Sequence, residues 1–413
     1  MKLKLIILFL TFTNLVFSQK IKNITLGNWH AELALNDRLF LPFNLEFSKV
    51  KKFEIAVINA EEKIQLIKIL YKADSIYASF PEMDGKLVFK VDEFGKYLRG
   101  YWLDNRKHKN IKIPLSAYFS NDPRFSFPAS NFITQPFVID GKWEVKFSFA
   151  QKDESNALGI FKTNGNTISG TFQTETGDYR FLEGNISGGN FALSSFDGAH
   201  AYVFTGEIKG DSINGIFYSG SKYRTTWTAL RNENASLRNP DSLSYLISKN
   251  QPFVFNHAKQ LNGKPFLFSS ANYQNKVVII QIMGTWCPNC LDETKVLKEL
   301  YNDLHSYGLE IISVCYEADI EQKKQLKKLK DFKKRSKIPY TVLYGGLANK
   351  ELASSDFGML NQVMSFPTSI FIGKDGNVWR IHTGFNGPAT GKAYIDFKNK
   401  IRYEIEIKLD LLR

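Results

Sequence analysis

The sequence predicts a multi-domain chain: an all-β N-terminal region of duplicated β-meander or barrel units, followed by an α/β domain. Three observations carry this. Residues 20 to about 230 run as short apolar–polar alternations, such as Trp143-Glu144-Val145-Lys146-Phe147 and Thr167-Ile168-Ser169-Gly170-Thr171-Phe172, separated by turn signals such as Asn164-Gly165-Asn166 and Lys209-Gly210-Asp211. A period of two broken by Gly, Asn and Asp is the mark of antiparallel strands. Anchors also repeat at a nearly constant offset: Gly27-Asn28-Trp29 with Gly141-Lys142-Trp143, Met83-Asp84-Gly85 with Phe196-Asp197-Gly198, and Gly100-Tyr101-Trp102 with Gly215-Ile216-Phe217. Repetition of this kind marks an internal duplication. From Lys276 onward, strand-length apolar runs alternate with amphipathic helical stretches, the pattern of a β-α-β unit with a right-handed crossover.

Taken in order, Met1 to Gln19 reads as a secretory signal. Lys2 and Lys4 precede a mostly apolar run from Leu5 to Val16, shorter than the roughly 20 residues of a membrane span. Residues 20–130 and 131–230 form the two β-rich units, each curled into a small barrel or packed on its twin. Trp29 and Trp143 are expected in the core. A lipocalin-like ligand cavity is a hypothesis from architecture alone. Residues 231–250 are polar, with Asn232, Asn234, Ser236, Asn239 and Pro240, and read as a linker with a short helix at Ser242–Ile247.

The last domain, 251–413, should hold a strand at 276–283, a helix at 288–307, a strand at 309–316, a helix at 319–336 and a short strand at 340–344. A partly helical stretch at 348–363, a strand after Pro367 and a turn at Lys374-Asp375-Gly376-Asn377 follow. The C-terminus fits a helix from about Gly391, though Tyr403, Ile405, Ile407 and Leu409 also alternate as a strand would.

Composition limits the function. The formal charge is +13, much of it in Lys323, Lys324, Lys327, Lys328, Lys330 and Lys333-Lys334-Arg335. Leu326, Leu329 and Phe332 recur among them at helical spacing, so this is a surface helix with a solvated basic face. Nucleic-acid binding would want aromatics interleaved with the basic residues, and export argues against it. The chain has three cysteines, too few for a disulfide-stabilised exported protein. Cys315, in the apolar run Ile311-Ile312-Ser313-Val314-Cys315, reads as a buried, inert thiol.

Cys287 and Cys290 form a Cys-x-x-Cys pair between a buried strand and an amphipathic helix. Cys287 therefore falls at a helix N-terminus, where free backbone N–H groups and the macrodipole favour a thiolate. That makes Cys287 the attacking sulfur and Cys290, one turn on, the resolving one. Zinc is the standard alternative, but zinc wants four ligands; the sequence has no second Cys pair and no His pair at ligand spacing.

Trp286-Cys287-Pro288-Asn289-Cys290 after a buried strand, with Phe366-Pro367-Thr368 and a closing hairpin and helix downstream, resembles the thioredoxin fold. Asn262-Gly263-Lys264-Pro265, Asn275-Lys276-Val277-Val278 and Gly284-Thr285-Trp286 are similar to the lead-in of the exported TlpA/ResA-like thiol–disulfide oxidoreductases. The resemblance covers about residues 250–413 and not the β-rich half. It implies a redox disulfide between Cys287 and Cys290, and a cis-proline at Pro367 that offers backbone to an extended substrate. It also implies substrate contacts at the flanking Phe366 and Thr368. Glu293 matches an acidic residue that would move the proton on or off Cys290; a solvent-facing helix residue is the plain alternative. Gln281 stands where thioredoxin has a buried acid, and a neutral amide cannot serve as that base. Trp286 is expected beside the sulfurs.

The resemblance further implies protein disulfides of exported cysteine proteins as substrates, a membrane thiol donor of the DsbD/CcdA type, no cofactor, and residence in the periplasm or cell envelope of a Gram-negative bacterium. Two rivals stand beside this reading. One is a binding protein whose β-rich region is the main functional part. The other is a peroxiredoxin, which wants a Thr three residues before its reactive Cys, where this chain has Gly284.

Overall fold

A computed structural model describes residues 24–105, 111–127, 138–248 and 251–412. The signal expected at 1–19 and the junction expected at 130/131 lie outside the described residues.

The β-rich half consists of two nine-stranded antiparallel sheets. Each is a meander in which the last strand returns to pair with the first: Gly27–Asn36 pairs with Ile111–Phe119, and Gly141–Phe147 with Tyr223–Arg231. The second sheet closes on itself, because Thr167–Thr174 pairs with both Ser155–Asn164 and Leu182–Ser187. Among the described strands the first sheet has no such closing pair, and its edges are Glu62–Gln65 and Ile67–Lys72.

The duplication is visible in atomic detail. Trp29 Nε1 donates to the carbonyl of Thr25 and Trp143 Nε1 to that of Ile139, each four residues upstream and each at 2.9 Å. Both indoles are fully buried. Gly100 and Gly215 make the same close approach: a Cβ there would lie 1.9 Å from the Val88 carbonyl oxygen and 2.1 Å from that of Thr205. Only glycine lets neighbouring backbones come so near.

The second barrel does not hold the cavity that a lipocalin-like architecture would provide. Its interior is filled by Trp143, Phe147, Phe161, Phe172, Phe191, Phe204, Phe217 and Trp227. Phe172 and Phe204 stack at 4.5 Å, and Phe204 and Phe217 at 4.3 Å. A small barrel whose inward positions are aromatic packs solid. The two units also share a core, with Phe43, Phe80 and Trp102 of the first packed on Phe196 of the second at 4.9, 5.4 and 4.9 Å.

The segment after the second sheet is docked, not free. A 3-10 turn at Pro240–Ser242 stands in place of the helix expected over Ser242–Ile247, with Asn239 capping it. Asp241 lies 2.6 Å from His382 Nδ1 and 3.3 Å from Arg380 Nε. Ser244 accepts a hydrogen bond from Thr383 at 2.9 Å. Opposite charges on the C-terminal hairpin thus hold a polar stretch that composition alone reads as loose.

The C-terminal domain is a six-stranded sheet. In spatial order its strands are Lys259–Gln260, Thr341–Leu347, Leu309–Glu317, Val277–Met283, Thr368–Ile372 and Val378–Thr383. The central three run parallel and the outer pairings are antiparallel. Every residue of Val277–Met283 is buried, as a strand with helices over both faces requires. The helices are α1 (Pro288–Leu304), α2 (Gln322–Arg335), α3 (Lys350–Asp356) and α4 (Lys392–Lys408). At the C-terminus the helical period prevails over the alternating one, since Ile401 and Ile405, one turn apart, are the residues α4 buries. No described helix is long and apolar enough to cross a membrane.

Candidate active site

The strand Val277–Met283 delivers the chain to a turn, Gly284-Thr285-Trp286, and Cys287 caps α1. Pro288 takes the first helical position, where its missing N–H costs nothing. The Cys287 sulfur accepts from the backbone N–H of Cys290 at 3.3 Å. All three cysteines are free thiols. Burial, and then the neighbouring Cys287, push the Cys290 thiol well up. The two sulfurs therefore differ in character: one sits at a helix N-terminus on a backbone donor, the other is enclosed. Cys315 lies inside the strand Leu309–Glu317 with its thiol also raised by burial.

The sheet brings the Phe366–Pro367 segment to the same place. The peptide bond between them is cis, and the Phe366 carbonyl lies 3.5 Å from the Cys287 sulfur. Trp286 donates its indole N–H to the Tyr316 carbonyl at 2.9 Å and meets the Phe366 ring edge-on at 5.8 Å. Trp286 and Phe366 thus form one wall beside Cys287. Thr368 is different. Its side chain is fully buried and its hydroxyl donates to the Ser365 carbonyl at 2.8 Å. This side chain faces the core of the sheet and shapes the loop before it.

Glu293 is not a solvent-facing helix residue, since only 2% of it is exposed. Its carboxylate accepts from Ser369 Oγ and from Gln281 Nε2, each at 2.8 Å. Gln281 Nε2 also reaches the Cys290 carbonyl at 3.3 Å, and its Oε1 accepts from Ser313 at 2.7 Å. Burial pushes the Glu293 carboxyl up to about 7, against the lowering effect of the Gln281 and Ser369 bonds. Gln281 therefore serves as the holder of an acid reaching in from α1.

Sequence reasoning overlooked Glu317. At the end of Leu309–Glu317 it accepts from Thr285 N–H at 3.0 Å and Thr285 Oγ1 at 2.6 Å, fixing the turn before Cys287. Burial raises it to about 7. The parallel pairing of its strand with Val277–Met283 was the available signal, because it places both C-terminal ends at one edge. Also overlooked was Asp292 in α1, bonded at 2.9 Å to Arg180 of the second barrel; no local pattern links residues so far apart in the chain.

Residues 248–395 match the family model for Redoxin. This segment is a Redoxin domain. The chain is similar to the thiol–disulfide oxidoreductase ResA of Bacillus thuringiensis subsp. konkukian, 32% identical over 108 residues, which are 26% of this chain and 54% of that protein. It is similar to the thioredoxin-like protein YneN of Bacillus subtilis, 24% identical over 126 residues, which are 30% of this chain and 66% of that protein. The chain thus spans about half to two thirds of the length of these curated relatives. A crystal structure of a thioredoxin-family thiol:disulfide interchange protein from Chlorobium tepidum covers 39% of this chain and 97% of that one, at 24% identity and a TM-score of 0.30. Cys287, Cys290, Glu293, Phe366 and Pro367 all lie within the Redoxin domain; the two β sheets lie before it.

Proposed function

We propose that this chain is an exported thiol–disulfide oxidoreductase that reduces disulfides of exported proteins. The observation that carries the reading is the placement of Cys287 at the N-terminus of α1, with the Cys290 N–H on its sulfur and the Phe366–Pro367 segment opposite. The Cys287 thiolate attacks one sulfur of a substrate disulfide. A mixed disulfide forms and the first substrate thiolate leaves and takes a proton. Cys290 loses its proton and attacks the Cys287 sulfur, giving the Cys287–Cys290 disulfide and the second substrate thiol. Glu293, close enough to raise the Cys290 thiol and linked to it through Gln281, is the group assigned to take that proton. A membrane dithiol donor of the DsbD/CcdA type restores the pair. The leader Met1–Gln19 supports export, and the periplasm or cell envelope of a Gram-negative bacterium is the setting proposed. The β-rich half is assigned to recruiting or selecting partners.

The test is the reduction potential of the Cys287–Cys290 pair in the full chain, by equilibration with glutathione buffers. A value near that of thioredoxin, about −270 mV, is expected of a reductase; one near about −120 mV belongs to an oxidant and reverses the direction of electron flow. Failure to form the disulfide overturns the redox reading and leaves the β-rich binding protein in its place.

A further inference from the structure

The catalytic face of the Redoxin domain is covered. Cys287 is 7% exposed, and Pro288, Phe366, Pro367, Gly384 and Phe385 are all buried. A redox pair that must meet a protein disulfide would ordinarily present this face to solvent. Trp286 and Tyr316 pack on Phe366 from within the domain; the Asn289 and Gly384 side is covered from the second β barrel, by the tight hairpin joining Thr167–Thr174 to Gly177–Asp178, with Glu175 and Thr176 at its tip.

At Gly384 the contact is close enough to exclude a side chain, and at Gly177 a side chain would have to displace the Asn289 amide. A Cβ on Gly177 would lie 1.9 Å from Asn289 Nδ2, on a residue between the two cysteines, and 3.4 Å from the Phe385 carbonyl oxygen. A Cβ on Gly384 would lie 2.5 Å from the backbone of Thr176. Gly384 in turn donates its N–H to the Pro367 carbonyl at 2.8 Å. The hairpin backbone therefore lies against the Asn289 and Gly384 side of the site.

The hairpin is fastened at three points. Asp178 accepts from the Gly387 N–H of the Redoxin domain. Glu175 receives two hydrogen bonds from Arg238, from Nε at 2.6 Å and from Nη2 at 2.5 Å. Two residues after Asp178, Arg180 reaches Asp292 of α1 and also Glu62 and Asp197. Fastening of this kind on both sides of a two-residue tip marks a positioned element.

We propose that this hairpin is the steric selector of the redox site, leaving Cys287 open to a disulfide on a narrow, extended chain and turning away one on a folded protein surface. It deepens the oxidoreductase reading and rests on it for the identity of the substrate, but the obstruction itself is measurable without catalysis. The chemistry is unchanged: the substrate disulfide is reduced to two thiols as the Cys287 and Cys290 thiols become a disulfide.

The experiment uses the full chain with Cys290→Ser and Cys315→Ser, so that Cys287 is the sole thiol. Its alkylation rate is measured with iodoacetamide and with a maleimide carrying a long polyethylene glycol chain, natively and in urea. The selector predicts that the bulky-to-small rate ratio is at least about tenfold lower in the native chain than in the unfolded one. It also predicts that the ratio recovers about tenfold when Asp178→Ala and Arg238→Ala remove two of the fastenings, each a hydrogen bond to a charged group. A native ratio equal to the unfolded one overturns the proposal, whether or not the double variant folds. In the parent chain with all three cysteines, reduction of a short disulfide-bonded peptide should outpace that of a folded disulfide protein. If neither is reduced, the oxidoreductase reading falls while the labelling ratios still decide the selector.

Discussion

Replacing Glu293 by Gln separates its charge from its shape. In the native chain burial lifts this carboxyl from an ordinary 4.5 to about 7. The folded state therefore keeps a proton that the unfolded chain releases. With the folded value raised, the associated stability is fully present below about pH 4.5, falls as pH rises, and is gone once pH passes about 7. A difference of about 2.5 units at 1.36 kcal/mol each gives about 3 kcal/mol as the upper size of the effect. Gln keeps an acceptor oxygen for Gln281 Nε2, and its amide N–H can donate to Ser369 Oγ in place of the bond the carboxylate received, so the shape is kept while titration is removed. Urea unfolding of the reduced chain and of Glu293→Gln, at pH 5 and at pH 8, reads the effect. The variant should gain on the parent at pH 8 relative to pH 5 by up to about 2.5 kcal/mol, since part of the effect falls outside that range. The same variant should lose an inflection near pH 7 in the rate at which Cys290 resolves a Cys287 mixed disulfide. A stability difference that does not change with pH refutes the buried, proton-holding Glu293, and an inflection that persists in the variant assigns the proton to another group, with Glu317, itself raised to about 7, the first to examine.

Three further outcomes follow from the packing. Arg180→Ala leaves Glu62, Asp197 and Asp292 facing one another in a buried site; removing one member of a buried charge cluster should cost about 3–5 kcal/mol in urea unfolding, and a cost under about 1 kcal/mol would show the cluster to be solvated. Gly284→Ala would put a Cβ 2.3 Å from Trp286 Nε1 and 2.7 Å from the Tyr316 carbonyl oxygen. The expected loss is about 1–3 kcal/mol, with a shift in tryptophan fluorescence as Trp286 gives way; an unchanged spectrum and midpoint would contradict the close contact. Trp29→Phe and Trp143→Phe each leave one carbonyl without its indole partner, part-buried at Thr25 and buried at Ile139. They should cost similar amounts, about 1–3 kcal/mol beyond the loss of ring area, whereas a large inequality would argue against equivalent places in a duplicated unit.

The sequence alone determined the layers of this protein and the place of its paired cysteines. Period-two alternation, recurring Gly-x-Trp anchors and the strand–Cys-x-x-Cys–helix run are local patterns, fixed by backbone geometry within a few residues, so they read directly as two β units and an α/β end. Buried Trp29 and Trp143 and Cys287 at the start of α1 came from such signals; the Phe366–Pro367 segment near it was implied by the resemblance. The direction of Thr368 was not legible, because adjacency to Pro367 says nothing about which way a strand residue points; the pleat turns its side chain inward. The polar 231–250 stretch was misread because composition cannot show that Asp241 meets Arg380 and His382. Tertiary structure alone decided the rest. Whether the duplicated units enclose a cavity depended on aromatic side chains from many strands filling one interior. Whether Glu293 faces water or the sulfurs depended on Gln281 and Ser369 arriving from two different strands. Whether the catalytic face is open depended on a hairpin more than a hundred residues before Cys287. Contacts between residues that far apart are set by how whole sheets pack, and no local period in the chain records them.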